Sequence, residues 1–222
     1  MKTSIRNVAT IAVLGGMTLI KTLSIAAPAP LPPSRQAEVA LAEGDVRIDG
    51  KKADIGRRLG AVALVETGKD SRCDIVFGGG NAVSFGPYAR ARIDFSSPSI
   101  ALRLERGGVT SVLKKLEKIV GRAPFDISTP EAVAAVRGTS FYVWRYGHQT
   151  YVCACNGRVH FEDAMGGNKL DVAAAHHLGK IFTERNGAIT VTDAGMLHHD
   201  DASVESVAKD IGYSIDWTKI DN

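Results

Sequence analysis

The sequence predicts a mainly β fold: an antiparallel meander forming a sandwich or solenoid-like β domain, with a short C-terminal helix. Three observations carry this. Short runs alternate apolar and polar residues, turn dipeptides recur between them, and the first helical pattern with a clear cap comes only after residue 199. At 45% apolar and 23% charged residues over 222 positions, the composition is that of an ordinary globular protein.

Residues 1–26 form a leader. Lys2 and Arg6 precede an apolar run over 8–20, and Ser24-Ile25-Ala26 ends it with small residues at the first and third positions. This reads as a secretory signal peptide cut after Ala26, with an uncleaved membrane anchor as the alternative. Of 27 basic residues, Lys2, Arg6 and Lys21 lie here. The other 24 balance the 24 acids, so the formal charge of +3 belongs to the leader and a nucleic-acid partner is not expected. Residues 27–43 begin Ala-Pro-Ala-Pro-Leu-Pro-Pro, which favours an extended linker. Export places the rest in the periplasm or otherwise outside the cytoplasm, with an inner-membrane tether at the N-terminus if the leader is retained. Three cysteines permit at most one internal disulfide, so the core must carry the stability.

From Gly44 the strands follow in order. Val46-Arg47-Ile48 runs into Asp49-Gly50, with Ala53-Asp54-Ile55 as the expected return strand. Residues 61–66 are strand-like, and 67–71 turn. Cys73-Asp74-Ile75-Val76-Phe77 alternates into Gly78-Gly79-Gly80-Asn81, read as a hairpin turn because no helix or Lys-Ser/Thr pair follows to make a phosphate cradle. Strands over 82–85, 91–95 and 100–104 come next. Val112, Leu113, Leu116, Ile119 and Val120 have helical spacing and suggest a short helix.

Pro130 cannot donate to a sheet ladder and holds Thr129 extended, which divides 125–128 from 132–144 as two strands. Gly138 lies inside the second, where a bulge or a close backbone approach is the usual reason for glycine. Arg137 beside it suits either an ion pair or an anion site. Tyr142, Trp144 and Tyr146 share one face, as core or as a platform for a glycan or peptide. Asn156-Gly157 and Asn186-Gly187 read as hairpin turns. Finally, Asp200 or Asp201 caps a helix in which Val204, Val207, Ala208 and Ile211 share a face, ending near Gly212.

Candidate chemistry concentrates at Cys153-Ala154-Cys155. On a strand both sulfurs face one way, with Cα atoms about 6.7 Å apart. That is near the limit for a disulfide, whereas two thiolates so placed can share a soft metal. His176-His177 and His198-His199 follow, so a Cys2His2 set for zinc or copper is conceivable. Buried cysteines with solvated histidines, or a strained disulfide, are the alternatives. Serine, histidine and aspartate are present without a glycine-flanked nucleophile elbow, so no hydrolase triad is assigned.

The motifs resemble those of the FecR domain family. The likeness covers 44–161: Gly44-Asp45-Val46-Arg47-Ile48, Gly56-Arg57-Arg58-Leu59, Glu66-Thr67-Gly68-Lys69-Asp70-Ser71, and above all Thr129-Pro130, Val136-Arg137-Gly138-Thr139 and Phe141. Residues 162–222 then form an extension with a hairpin and a helix. The resemblance implies an extracytoplasmic β-rich module that signals or binds an envelope protein or small ligand, without catalysis. The seven residues before the apolar run are too few for the cytoplasmic anti-sigma segment that signalling members carry. A few exported proteins similar to this one also combine Cys-x-Cys with a later His-His and a His-x-Asp such as His199-Asp200-Asp201.

Overall fold

The structure, a computed structural model, describes residues 31–32, 35–114, 116 and 123–221, with the side chain of Arg137 outside that set. The expected leader and residues 27–30 and 33–34 of the expected linker lie outside the described residues.

Among the described residues, fourteen strands precede one helix: β1 Ala37–Glu43, β2 Val46–Ile48, β3 Lys51–Lys52, β4 Val62–Thr67, β5 Arg72–Phe77, β6 Asn81–Phe85, β7 Arg90–Asp94, β8 Ile100–Leu113, β9 Phe125–Ser128, β10 Ala132–Tyr146, β11 Gln149–Asp163, β12 Lys169–Ala174, β13 Leu178–Arg185, β14 Ala188–Ala194 and α1 Asp201–Lys209. The expected mainly β fold with a short C-terminal helix is what the chain adopts.

Three long strands, β8, β10 and β11, change partners midway. Their outer portions complete one half-sheet in the order β3-β2-β4-β7-β8-β9-β10-β11-β12. Their other portions complete a second, β1-β5-β6-β8-β10-β11-β13-β14. Among the described residues, only β8 and β9 run parallel. Strands that switch sheets need a bulge or bend. In β10 the register slips between Val136 and Thr139, around Gly138 at φ 141°. Gly157 faces that bulge at φ 124°, and a Cβ there would lie 2.0 Å from Thr139 Oγ1. Conformation therefore demands glycine at 138, and crowding demands it at 157.

The half-sheets close over one core. Val65, Ile93 and Phe125 meet Ile75, Val83 and Phe141, all buried, and Phe77 stacks on Phe125 with centroids 6.1 Å apart. Burying a side chain of this size stabilises by about 1.5–3 kcal/mol. The Thr129-Pro130 corner is built by hydrogen bonds: Thr129 Oγ1 accepts from the amides of Glu131 and Ala132 and meets Thr150 Oγ1 at 2.8 Å. Thr150 in turn donates to Glu131, a buried carboxylate paired with Arg145 at 2.9 Å. The family-motif residues Val136, Thr139 and Phe141 are fully buried, so that motif is structural.

Several expectations are corrected. Residues 37–43, expected as linker, form β1, which pairs with β5 and buries Ala37 and Val39. The strand returning from Asp49-Gly50 is Lys51–Lys52 instead of 53–55, because both turn residues take positive φ and the ladder starts at once. Val112 and Leu113 end β8 and are buried on opposite faces of it, so their helical spacing is coincidental; Ile119 and Val120 lie outside the described residues. Asn156-Gly157 makes no hairpin. Gly157 bends β11 between the half-sheets, while Asn156 Nδ2 donates to the carbonyls of Ala175, Asp216 and Lys219 and so anchors the chain end. The turn between β10 and β11 is at Gly147-His148 instead. The Asn186-Gly187 turn and the Asp200 cap are as expected, the latter closing a reciprocal capping box with Ser203.

Candidate functional site

Beyond the main core, the outer face of the second half-sheet carries a separate buried cluster. Ala82, Val112, Tyr142, Tyr151, Cys153 and Cys155 lie beneath Val204, Val207 and Ala208 of α1, with Trp217 from the terminal segment packed against them. Alternation along β11 decides the sides: Val152 and Ala154 enter the main core, and Tyr151, Cys153 and Cys155 face out. Both faces are covered, which is why this strand reads as one apolar run.

Two loops bring histidines to the cysteines. The β12–β13 loop docks when the His177 amide donates to the Cys155 carbonyl at 3.0 Å. Ahead of α1, Tyr151 Oη accepts from the Leu197 amide at 3.1 Å and donates to the Gly195 carbonyl at 2.9 Å, placing His199. Cys153 Sγ lies 3.6 Å from His177 Nδ1, Cys155 Sγ lies 3.3 Å from His199 Nε2, and the two ring nitrogens are 3.1 Å apart. All four donor atoms fall within 4.8 Å of one another. The Tyr142 ring stacks on His199 at 4.3 Å, and Trp217 stacks on His177 at 5.1 Å. Both cysteines are buried and His177 keeps 5% of its side chain exposed, while His199 is half-buried at the edge of the cluster.

The outward nitrogens of both rings are also engaged. His177 Nε2 lies 2.9 Å from Asp201 Oδ1, and His199 Nδ1 lies 2.7 Å from the Leu197 carbonyl. Hydrogen bonding from the Cys155 thiol, then from His177 and His199, pulls Cys153 down to about 3 against the effect of burial. Burial, then the hydrogen bond to Cys153 and its neighbouring charge, push Cys155 well up. For His177, burial acts downward but is outweighed by Cys153 and Asp201, and the net shift is upward.

Of the six sequence-nominated metal residues, the fold gathers four. His176 is half exposed and binds Asp201 at 3.0 Å, and His198 stacks on Trp144 at 3.9 Å, so both point away from the sulfurs. Cys153 and Cys155 are free thiols, which removes the strained-disulfide alternative. The site also uses Tyr142, Tyr151 and Trp217 as walls and Asp201 as a tether. Asp201 has a local signal in His-x-Asp; Trp217 has none, because its partner is 40 positions away. The aromatic face divides by depth: Tyr142 is buried, Trp144 intermediate and Tyr146 73% exposed.

The family model described as FecR protein matches residues 63–160. That stretch is what the chain has in common with FecR proteins. Cys153 and Cys155 fall inside the matched region, whereas His177, His199 and Asp201 lie beyond it. Two crystal structures of a candidate anti-sigma factor from Parabacteroides distasonis are similar to it, each at 17% identity. Their TM-scores are 0.49 and 0.46; each match covers 60% of this chain, and 61% and 60% of theirs. The chain thus spans about 60% of the length of the structures it matches. Among curated proteins, none matches the chain.

Proposed function

We propose that this protein is an extracytoplasmic FecR-type interaction module in envelope signalling, working by binding a partner and not by catalysis. The FecR match over residues 63–160 carries the reading. The surface adds support. Between β6, β8 and β10 and the segment leading into α1 runs an open cleft of about 690 Å³, lined among others by Arg72, Tyr88, Trp144 and His198. Tyr88 is 55% exposed and Tyr146, stacked on Trp144, is 73% exposed. Tyrosine, tryptophan and arginine are the residue types that dominate binding hot spots. The partner is an exposed segment of another envelope protein; a small ligand in the same cleft is the competing outcome.

A deletion strain complemented with wild-type or Tyr88→Ala/Tyr146→Ala protein tests this by transcript profiling. Both tyrosines are exposed, so the variant should fold normally. The expected result is a discrete set of transcripts that changes on deletion and is restored by wild type only. No transcriptional change on deletion, or full restoration by the variant, overturns the reading. A fusion to a reporter active only outside the cytoplasm checks the location.

A further inference from the structure

We infer that Cys153, Cys155, His177 and His199 are the complete ligand set of a four-coordinate zinc ion that fastens the C-terminal segment to the FecR domain. This goes beyond the signalling role and stands independently of it.

The spacing is the first reason. Zinc–sulfur bonds of about 2.3 Å and zinc–nitrogen bonds of about 2.0–2.1 Å give a tetrahedron with edges of about 3.3–3.8 Å. The sulfur-to-nitrogen separations here are 3.6 and 3.3 Å, and nitrogen to nitrogen is 3.1 Å. Three of the six edges are therefore close to the required lengths, and all four donors, from three separate segments, lie within 4.8 Å of one another.

Proton placement is the second. Each imidazole has one nitrogen turned away from the cluster toward an acceptor, the Asp201 carboxylate for His177 and the Leu197 carbonyl for His199. With an N–H spent there, each neutral ring has its other lone pair directed inward. Two such lone pairs at 3.1 Å repel unless a proton or a metal cation lies between them, and the sulfurs beside them suit the metal. An outer acceptor that fixes the tautomer in this way is the usual companion of a metal-bound histidine.

The backbone supplies a third, independent reason. His177 has φ 40° and its counterpart loop turns at His198 with φ 63°, a left-handed conformation that β-carbon-bearing residues rarely adopt. Such conformations persist where the surroundings over-determine them, and they gather at functional sites. Here they turn His177 and His199 inward.

Donor type chooses the ion. Two sulfurs and two imidazoles in a tetrahedron suit zinc. Two thiolates also neutralise a divalent charge, as a buried site needs. Binding releases the remaining thiol protons to solvent and forms two Zn–S and two Zn–N bonds, with no change of oxidation state. Four protein donors fill a tetrahedron and leave no corner for a substrate, so the ion is structural. Its effect is to join β11, inside the FecR domain, to the β12–β13 loop and the chain entering α1.

The test is metal analysis of the full chain purified without a chelator, followed by cobalt substitution. One zinc per chain is expected, and the cobalt form should show thiolate-to-metal charge-transfer absorption with the strong visible bands of a tetrahedral ion. Cys153→Ser and His199→Ala should each lower zinc affinity at least a hundredfold, and Asp201→Asn about 10–100-fold, while His176→Ala and His198→Ala leave it within a few-fold. Because a ligand variant could fail to fold, chelator-stripped wild type gives a second readout: its C-terminal segment should become protease-sensitive and recover protection when zinc alone is restored. Metal-free protein whose melting temperature does not respond to added zinc overturns the proposal. So does a stoichiometric copper content, or zinc affinity that survives Cys153→Ser.

Discussion

The two buried clusters of this molecule share strands but are held together differently. On β10, Phe141 and Val143 face the main core while Tyr142 and Trp144 face α1; on β11, Val152 and Ala154 oppose Cys153 and Cys155. The inner cluster is apolar on every side and is stabilised by burial, which has no direction. The outer one is assembled from hydroxyls, thiols and imidazoles whose bonds must be aimed. Shape alone is enough for the first, whereas the second depends on the positions of two loops. Where both faces of a strand are covered, the residue types distinguish the structural face from the chemical one.

The largest effect should come from the inner face. Phe141→Ala removes a fully buried ring between the half-sheets and should cost about 3–5 kcal/mol, measured by denaturant unfolding. A loss below 1 kcal/mol would mean that this core collapses freely, against the comparison.

The bend between the clusters comes next. Gly157→Ala places a Cβ on Thr139, whereas the Cβ of Gly138→Ala would meet only the Leu113 carbonyl, at an ordinary 3.5 Å. At Gly138 the cost is the unfavourable φ, about 1–3 kcal/mol; Gly157→Ala adds a clash to its own φ and should lose more. Equal melting temperatures for the two variants would refute the distinction between crowding and conformation.

A pH effect should separate the faces further. The Asp210 carboxyl, at the end of α1, is pushed up to about 6 from its ordinary 3.8, first by burial and then by the Asp74 carboxylate, with Arg72 pulling the other way. Arg72 is itself paired with Asp74 and feels Glu43. Between those two values the folded chain holds a proton that the unfolded chain has lost. Stability from this group is therefore greatest below about pH 4 and is lost as pH rises through 6. Asp210→Asn should flatten that part of a melting-temperature profile and raise stability at neutral pH, and an unchanged slope would count against the Asp74–Asp210 contact. The smallest effect is at the start of α1, where Asp200→Ala removes the cap and should cost about 1 kcal/mol.

Much of this fold can be read locally. The Asp49-Gly50 and Asn186-Gly187 turns, the Pro130 break, the Gly138 bulge and the Asp200 cap each depend on a few neighbouring residues, so their chemistry is visible in sequence. Two of the misreadings come from partners far away in the chain. β1 looked like linker until β5 paired with it, and Asn156-Gly157 has the composition of a turn because one residue must bend and the other must anchor a segment 60 positions later.

The candidate site divides in the same way. Sequence alone determined that Cys153 and Cys155 face one side, since strand period is a property of the backbone. It also nominated both histidine pairs. Tertiary structure decided which member of each pair turns inward, because adjacent residues in a loop point in different directions and only docking on Tyr151 and the Cys155 carbonyl selects one. It also supplied Asp201, Tyr142 and Trp217, whose roles arise only when α1 and the chain end close over the sheet. Hydrophobic periodicity reports what a residue is next to in sequence, and a four-atom site depends on angles set by contacts 20 to 60 residues away.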